Sequence, residues 1–179
     1  MVKDYQKILE IANDTRKFEI GVFWKRAGFF WLFIVSAFVG YSYFFNKDHQ
    51  KALLVANFGF ITSLFWVLAN RGSKFWQVNW EKHIDAIESK ALGYPLFSKV
   101  YPSKEKGFFS AKRFSPSKLV IALSYYMFLA WVVILLIQIV LVVIHVSKIS
   151  IIGFVAFFVT GFTICYVGWV YFESKKHYN

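Results

Sequence analysis

At 179 residues, 58% hydrophobic and 22% aromatic, the chain is too apolar for a soluble globular domain of ordinary composition. Its one cysteine, Cys165, excludes an internal disulfide framework. The formal net charge of +11 raises nucleic acid as a partner, but beside long apolar runs it reads better as membrane topology and attraction to anionic lipid.

Residues 1–26 read as a cytosolic N-terminal helix. Tyr5, Ile8, Leu9 and Ala12 recur at helical spacing among charges of both signs. Such a helix packs on the protein's own cytosolic surface, or lies in the lipid headgroups with Trp24, Lys25 and Arg26 as its anchor. The late apolar core and the lack of an Ala-x-Ala site argue against a signal peptide.

Ala27–Phe45 carries no charge, and its 19 residues reach about 28 Å as a helix, close to the hydrocarbon thickness of a bilayer. Asn46–Lys51 is a short polar turn, and Ala52–Ala69 returns, so residues 27–69 form a transmembrane hairpin.

The stretch Trp66–Glu88 starts in that hairpin and ends in water. Asn70, Arg71, Ser73 and Lys74 mark the exit. Trp76, Trp80, Ile84, Ile87 and Ala91 then fall at offsets 0, 4, 8, 11 and 15, one stripe of an amphipathic helix. Gly72, at the exit, weakens the helix and predicts a flexible joint. Gly93-Tyr94-Pro95 ends the pattern.

Residues 93–118 hold all three prolines and alternate aromatics with basic residues. Single-stranded nucleic acid can be bound by that composition, but flanking membrane helices make lipid headgroups, self-packing or a protein partner better readings. Ser115-Pro116 supplies an N-cap and a first-turn proline. Leu119–Val146 follows, reaching about 42 Å if fully helical, so it must tilt or protrude. Ser147-Lys148 turns the chain and Ile149–Phe172 returns, giving a second hairpin over residues 119–172 and a polar tail over 173–179.

Eighteen of the 21 Lys and Arg lie in residues 1–26, 70–118 and the tail, against three in the two short turns. The positive-inside rule then puts both termini and the central region in the cytosol. The expected fold is an all-α integral membrane protein: four transmembrane helices in two hairpins with a cytosolic amphipathic helix.

No phosphate loop, nucleophile elbow or paired-carboxylate motif is present. The four histidines, His49, His83, His145 and His177, are dispersed, without metal-ligand spacing. Glu81, Asp85 and Glu88 share a helical face and read as an acidic site or, more simply, a solvated one. The protein is therefore expected not to be an enzyme, with no catalytic or metal residues and no cofactor. The spans contain no Asp, Glu, Lys or Arg, which counts against proton or sodium coupling. Gln138, Asn57, Thr160 and Thr163 are candidates for pore lining or interhelical contact. Ser36 with Gly40, Ala52 with Ala56 and Gly161 with Cys165 are small-x-x-x-small pairs suited to close helix approach.

The run Asn70-Arg71-Gly72-Ser73-Lys74-x-Trp76-Gln77-x-Asn79-Trp80-Glu81-x-His83 resembles a motif of small multi-span bacterial membrane proteins in which a hairpin leads into a Trp-rich cytosolic helix. The arrangement is similar to membrane effectors of anti-phage systems, including those linked to retrons. The resemblance covers residues 50–90, and the second hairpin departs from two-span members. It implies a membrane-perturbing or pore-forming effector of the bacterial inner membrane, acting as a homo-oligomer in the lipid bilayer and held or triggered through its cytosolic helix. Arg71, Lys74, Trp76, Gln77, Trp80, Glu81 and His83 are then the expected contacts of a cytosolic protein partner. Direct contact with nucleic acid is not expected. The rival expectation is a non-conducting anchor or regulatory subunit that recruits such a partner.

Overall fold

The computed structural model describes residues 4–93, 115–145 and 151–176, the side chains of 145 and 170–176 excepted. The described residues form four helices: α1 (Tyr5–Phe44), α2 (His49–Leu92), α3 (Pro116–His145) and α4 (Ile151–Lys176). Each is long and apolar enough to cross a membrane. The all-α membrane fold with four spans is thereby established. The turn at 147–148 and the connection at 94–114 lie outside the described residues.

Helix ends are set by local chemistry. Asp4 accepts the Lys7 N–H at 3.2 Å and starts α1. Asp48 accepts the N–H groups of Gln50 and Lys51 at 3.0 and 3.1 Å and starts α2, the expected behaviour of a carboxylate N-cap. Burial pushes the Asp48 carboxyl up, but hydrogen bonds from Lys51 backbone and side chain, the Lys51 charge and the Gln50 N–H hold it below its usual value overall. Gly93 closes α2 at φ 75°, with its N–H on the Ser89 carbonyl. Glycine takes this left-handed conformation without a Cβ penalty. The Ser115 carbonyl accepts the Leu119 N–H at the start of α3.

Two of the expected segment boundaries fall inside continuous helices. The N-terminal helix and the first span form one helix, as do the second span and the Trp-rich helix. The sequence changes from apolar to polar at those points, but nothing there prevents helical φ/ψ. Gly72 costs only about 1 kcal/mol, less than breaking a ladder supported on both sides, so α2 passes through it unbroken.

Contacts divide the chain into two units: Met1–Ala27 with Leu68–Ala122, and Gly28–Val67 with Leu123–Asn179. The second unit has a core of Ala37, Leu53, Ala56, Trp131, Leu135, Val142 and Ala156, to which all four helices contribute. Trp131 is fully buried, with Phe38 at 4.6 Å and Tyr41 edge-on at 6.0 Å between ring centroids. Gly59 admits that indole, because a Cβ there would overlap it. Half of the most apolar window of α2 is buried, against 17% to 22% for the other three helices. α2 is therefore the helix on which the spans are assembled.

The first unit has a smaller core of Leu9, Ala12 and Ile84, flanked by Trp80, Ile87, Ala91 and Leu92. The N-terminal part of α1 packs on the C-terminal part of α2, which is the self-packing expected for residues 1–26.

Candidate functional site

The polar side chains of the spans are drawn into two interhelical knots within the unit of Gly28–Val67 and Leu123–Asn179. Gln138 of α3 is fully buried. Its Oε1 accepts the Tyr41 hydroxyl of α1 at 3.1 Å. Its Nε2 donates to the His49 carbonyl of α2 at 2.9 Å and lies 3.3 Å from His49 Nδ1. One amide thus joins three helices. Asn57 of α2, also buried, donates through Nδ2 to Thr160 Oγ1 of α4 at 2.8 Å and to the Leu53 carbonyl at 2.9 Å. The Thr160 hydroxyl in turn donates a hydrogen bond to the Ala156 carbonyl at 2.8 Å. Thr163 is buried on α4 three residues further on. A buried amide in apolar surroundings is costly without partners. These knots supply them to the Gln138 amide and to Asn57 Nδ2, while Asn57 Oδ1 has no partner among the described residues; Gln138, Asn57 and Thr160 are interhelical contacts.

The small-residue pairs divide. Ala52 and Ala56 are fully buried, and a Cβ on Gly40 would sit 3.4 Å from Val55, an ordinary contact between α1 and α2. Ser36 is turned back on the Leu32 carbonyl. Cys165 is exposed, and a Cβ on Gly161 would meet nothing within 4 Å.

In the other unit, the residues expected to face a partner separate into buried and accessible groups. Gln77 is only 5% exposed and, with Asn70 and Ser73, lies on a buried polar stripe of α2. At offsets 0, 3 and 7 these residues take the inward side of the helix, so Gln77 does not lie on its exposed face. Trp80 packs against the Leu9–Ala12–Ile84 core. Trp76, expected on the same face, is half exposed. Glu81 forms an ion pair with Arg16 of α1 at 3.7 Å. His83 is exposed, its ring 5.8 Å from that of Trp80. Arg71 is exposed and Lys74 half-buried. Glu88 is buried, so the carboxylates 81, 85 and 88 do not form one solvated face. Among the described residues, no group of three His, Cys, Asp or Glu is arranged to hold a metal ion.

Residues 6–141 match the model of the octameric membrane protein family (8xMP). The chain belongs to that family. The matched stretch takes in α1, α2 and most of α3, and ends before α4 begins at Ile151. The family's description as octameric membrane proteins is consistent with a homo-oligomer in a lipid bilayer. No curated protein and no solved structure matches the chain.

Sequence reasoning missed two positions in these knots. Tyr41 reads in the sequence as an interfacial aromatic and His49 as a turn histidine. Their common partner, Gln138, is 97 and 89 residues away. The available signal was the lone glutamine in an apolar run, which demands partners without naming them.

Proposed function

We propose that this member of the octameric membrane protein family is a homo-octameric, membrane-perturbing effector of the bacterial inner membrane, acting in anti-phage defence and without enzymatic chemistry of its own. The observation that carries the reading is the bonding of Gln138, Asn57 and Thr160 inside one chain. With the Gln138 amide, Asn57 Nδ2 and the Thr160 hydroxyl engaged, these groups leave only Asn57 Oδ1 for a water path within one protomer, which favours a path between protomers. The large uncovered share of α1, α3 and α4 supports this, since these faces meet lipid or other copies. The positive-inside bias of the sequence supports cytosolic termini. Trp76 and His83, both exposed on α2, are the side chains through which a cytosolic partner holds or triggers the assembly.

The same internal bonding favours one second reading, a non-conducting anchor that recruits a cytosolic partner. Induction of the protein alone, with membrane potential followed by a dye and oligomeric state by native mass spectrometry, separates them. Depolarisation before growth arrest supports the effector. An assembled octamer in cells that keep their potential and grow supports the anchor.

A further inference from the structure

α2 leaves its apolar run at Ala69, and α3 enters its own at Leu119. Within the unit of Met1–Ala27 and Leu68–Ala122, a groove lies between these helices. Arg71, Lys74 and Lys82 supply its cations, and Phe75, Val78 and Ile121 its apolar surface. On α2 these residues fall at offsets 0, 3, 4, 7 and 11, one side of a helix. None of the three cations forms an ion pair with a described carboxylate, although Arg16, Lys17, Arg26 and Lys51 each do. No carboxylate lines this groove: Glu81 and Asp85 line a separate cleft with Asn13, Arg16 and Ile84, and Glu81 shares a further cleft with Lys74 on the side away from Phe75 without pairing with it. Phe75 is 53% exposed. Lys118, exposed on the first turn of α3, precedes Ile121 by three residues.

We propose that this groove binds an anionic phospholipid, its phosphate held by Arg71 and Lys74 and its acyl chain laid along Phe75, Val78 and Ile121, with Lys82, about 16 Å along the helix from Arg71, adding attraction from the far end of the groove. The occupant follows from complementarity. Three cations without an ion pair among the described residues call for an anion. The apolar strip beside them, where two apolar helix runs meet water, calls for that anion to carry a hydrocarbon chain. Basic pockets between transmembrane helices on the cytoplasmic side suit such headgroups. The arginine gives forked donors to phosphate oxygens, while the lysines act as point charges on flexible stems. Arg71 and Lys74 thereby serve lipid rather than a cytosolic protein. The proposal does not rest on the effector reading, because its readout is binding and not permeability.

The test is titration of a fluorescent phosphatidylglycerol into the detergent-solubilised full chain, with phosphatidylcholine as the neutral competitor. A surface Lys or Arg contributes about fivefold to attraction for anionic lipid. The combined Arg71→Gln, Lys74→Gln, Lys82→Gln variant is expected to bind about a hundredfold more weakly. Lys7→Gln, Lys17→Gln, Lys90→Gln removes the same charge elsewhere and is expected to bind as the parent does. Lys82→Glu, a single exposed change, weakens binding while the helical circular dichroism stays intact. Inorganic phosphate leaves the lipid bound. Equal loss in both triple variants would mean diffuse attraction and overturn the site. Displacement by inorganic phosphate would mean a free-anion site, and no preference over phosphatidylcholine would mean no headgroup recognition; either also overturns it.

Discussion

The two units of this chain share helices α1, α2 and α3 yet are held by different forces. In Gly28–Val67 with Leu123–Asn179, contact is shape and hydrogen bonding: an indole against a glycine, alanines against large side chains, and amides that each join two or three helices. In Met1–Ala27 with Leu68–Ala122, contact is a small apolar core and an exposed ion pair between Arg16 and Glu81. The difference follows from the solvent. Lipid is as apolar as a leucine side chain, so burial gains little there and close packing must hold the helices. Water rewards the burial of Leu9, Ala12 and Ile84, while the half-exposed Arg16–Glu81 pair contributes well under about 1 kcal/mol.

The comparison breaks first at Gly59. Gly59→Ala puts a Cβ into the Trp131 ring, which is fully buried. Helix separation has to increase, and thermal unfolding of the purified protein in detergent is expected to show a loss of about 3 kcal/mol. An unchanged midpoint would mean that the indole is not seated against α2.

Gln138 comes next. Gln138→Leu keeps the volume and removes the bonds to Tyr41 and His49. A loss of about 1–2 kcal/mol is expected. Tyr41→Phe added to Gln138→Leu should cost little more, since the phenol has already lost its partner. Additive losses would show that the two side chains act separately.

A smaller effect belongs to Asp48. Asp48→Ala removes the cap of α2 and is expected to cost about 1 kcal/mol at neutral pH. The Asp48 carboxyl is held below its usual value in the folded protein. Its contribution is therefore complete above the unfolded-state value near about 4, and is lost as pH falls through the lower folded-state value. Asp48→Asn keeps an N-cap and should flatten that acid limb. A parent and an Asp48→Asn protein with the same acid profile would remove Asp48 from the account.

These positions also mark how far the sequence could be read. The four spans follow from apolar runs of membrane length, and Gly93 and Ser115-Pro116 carry their turn and cap chemistry in their own side chains. Asp48 was equally local, but it reads as one charge in a polar turn until its lone pairs are seen to face two N–H groups. Gly59 and Trp131 carry no marker of their meeting, because close approach of two helices is a property of the pair. The stripe of Trp76, Trp80, Ile84, Ile87 and Ala91 gave the right helix but only part of its buried side. Asn70, Ser73 and Gln77 are polar, so an apolar periodicity cannot count them, although the structure buries all three.

Gly72 sharpens the comparison, because the same substitution there is expected to act in the opposite direction. A Cβ at Gly72 meets nothing within 4 Å, and the residue lies inside the unbroken α2. Gly72→Ala therefore restricts the unfolded chain and completes a helix interior without a clash, so thermal unfolding should show a gain of up to about 1 kcal/mol. If the depolarisation proposed above occurs on induction and survives that gain, α2 works as a rigid rod from His49 to Leu92, and the proposed trigger acts by rotation or tilt of the whole helix. If depolarisation falls while stability rises, α2 has to bend at this glycine in the active assembly, and the residue is retained for flexibility at the expense of stability. Gly59→Ala cannot make that distinction, since it damages the packing on which any activity rests.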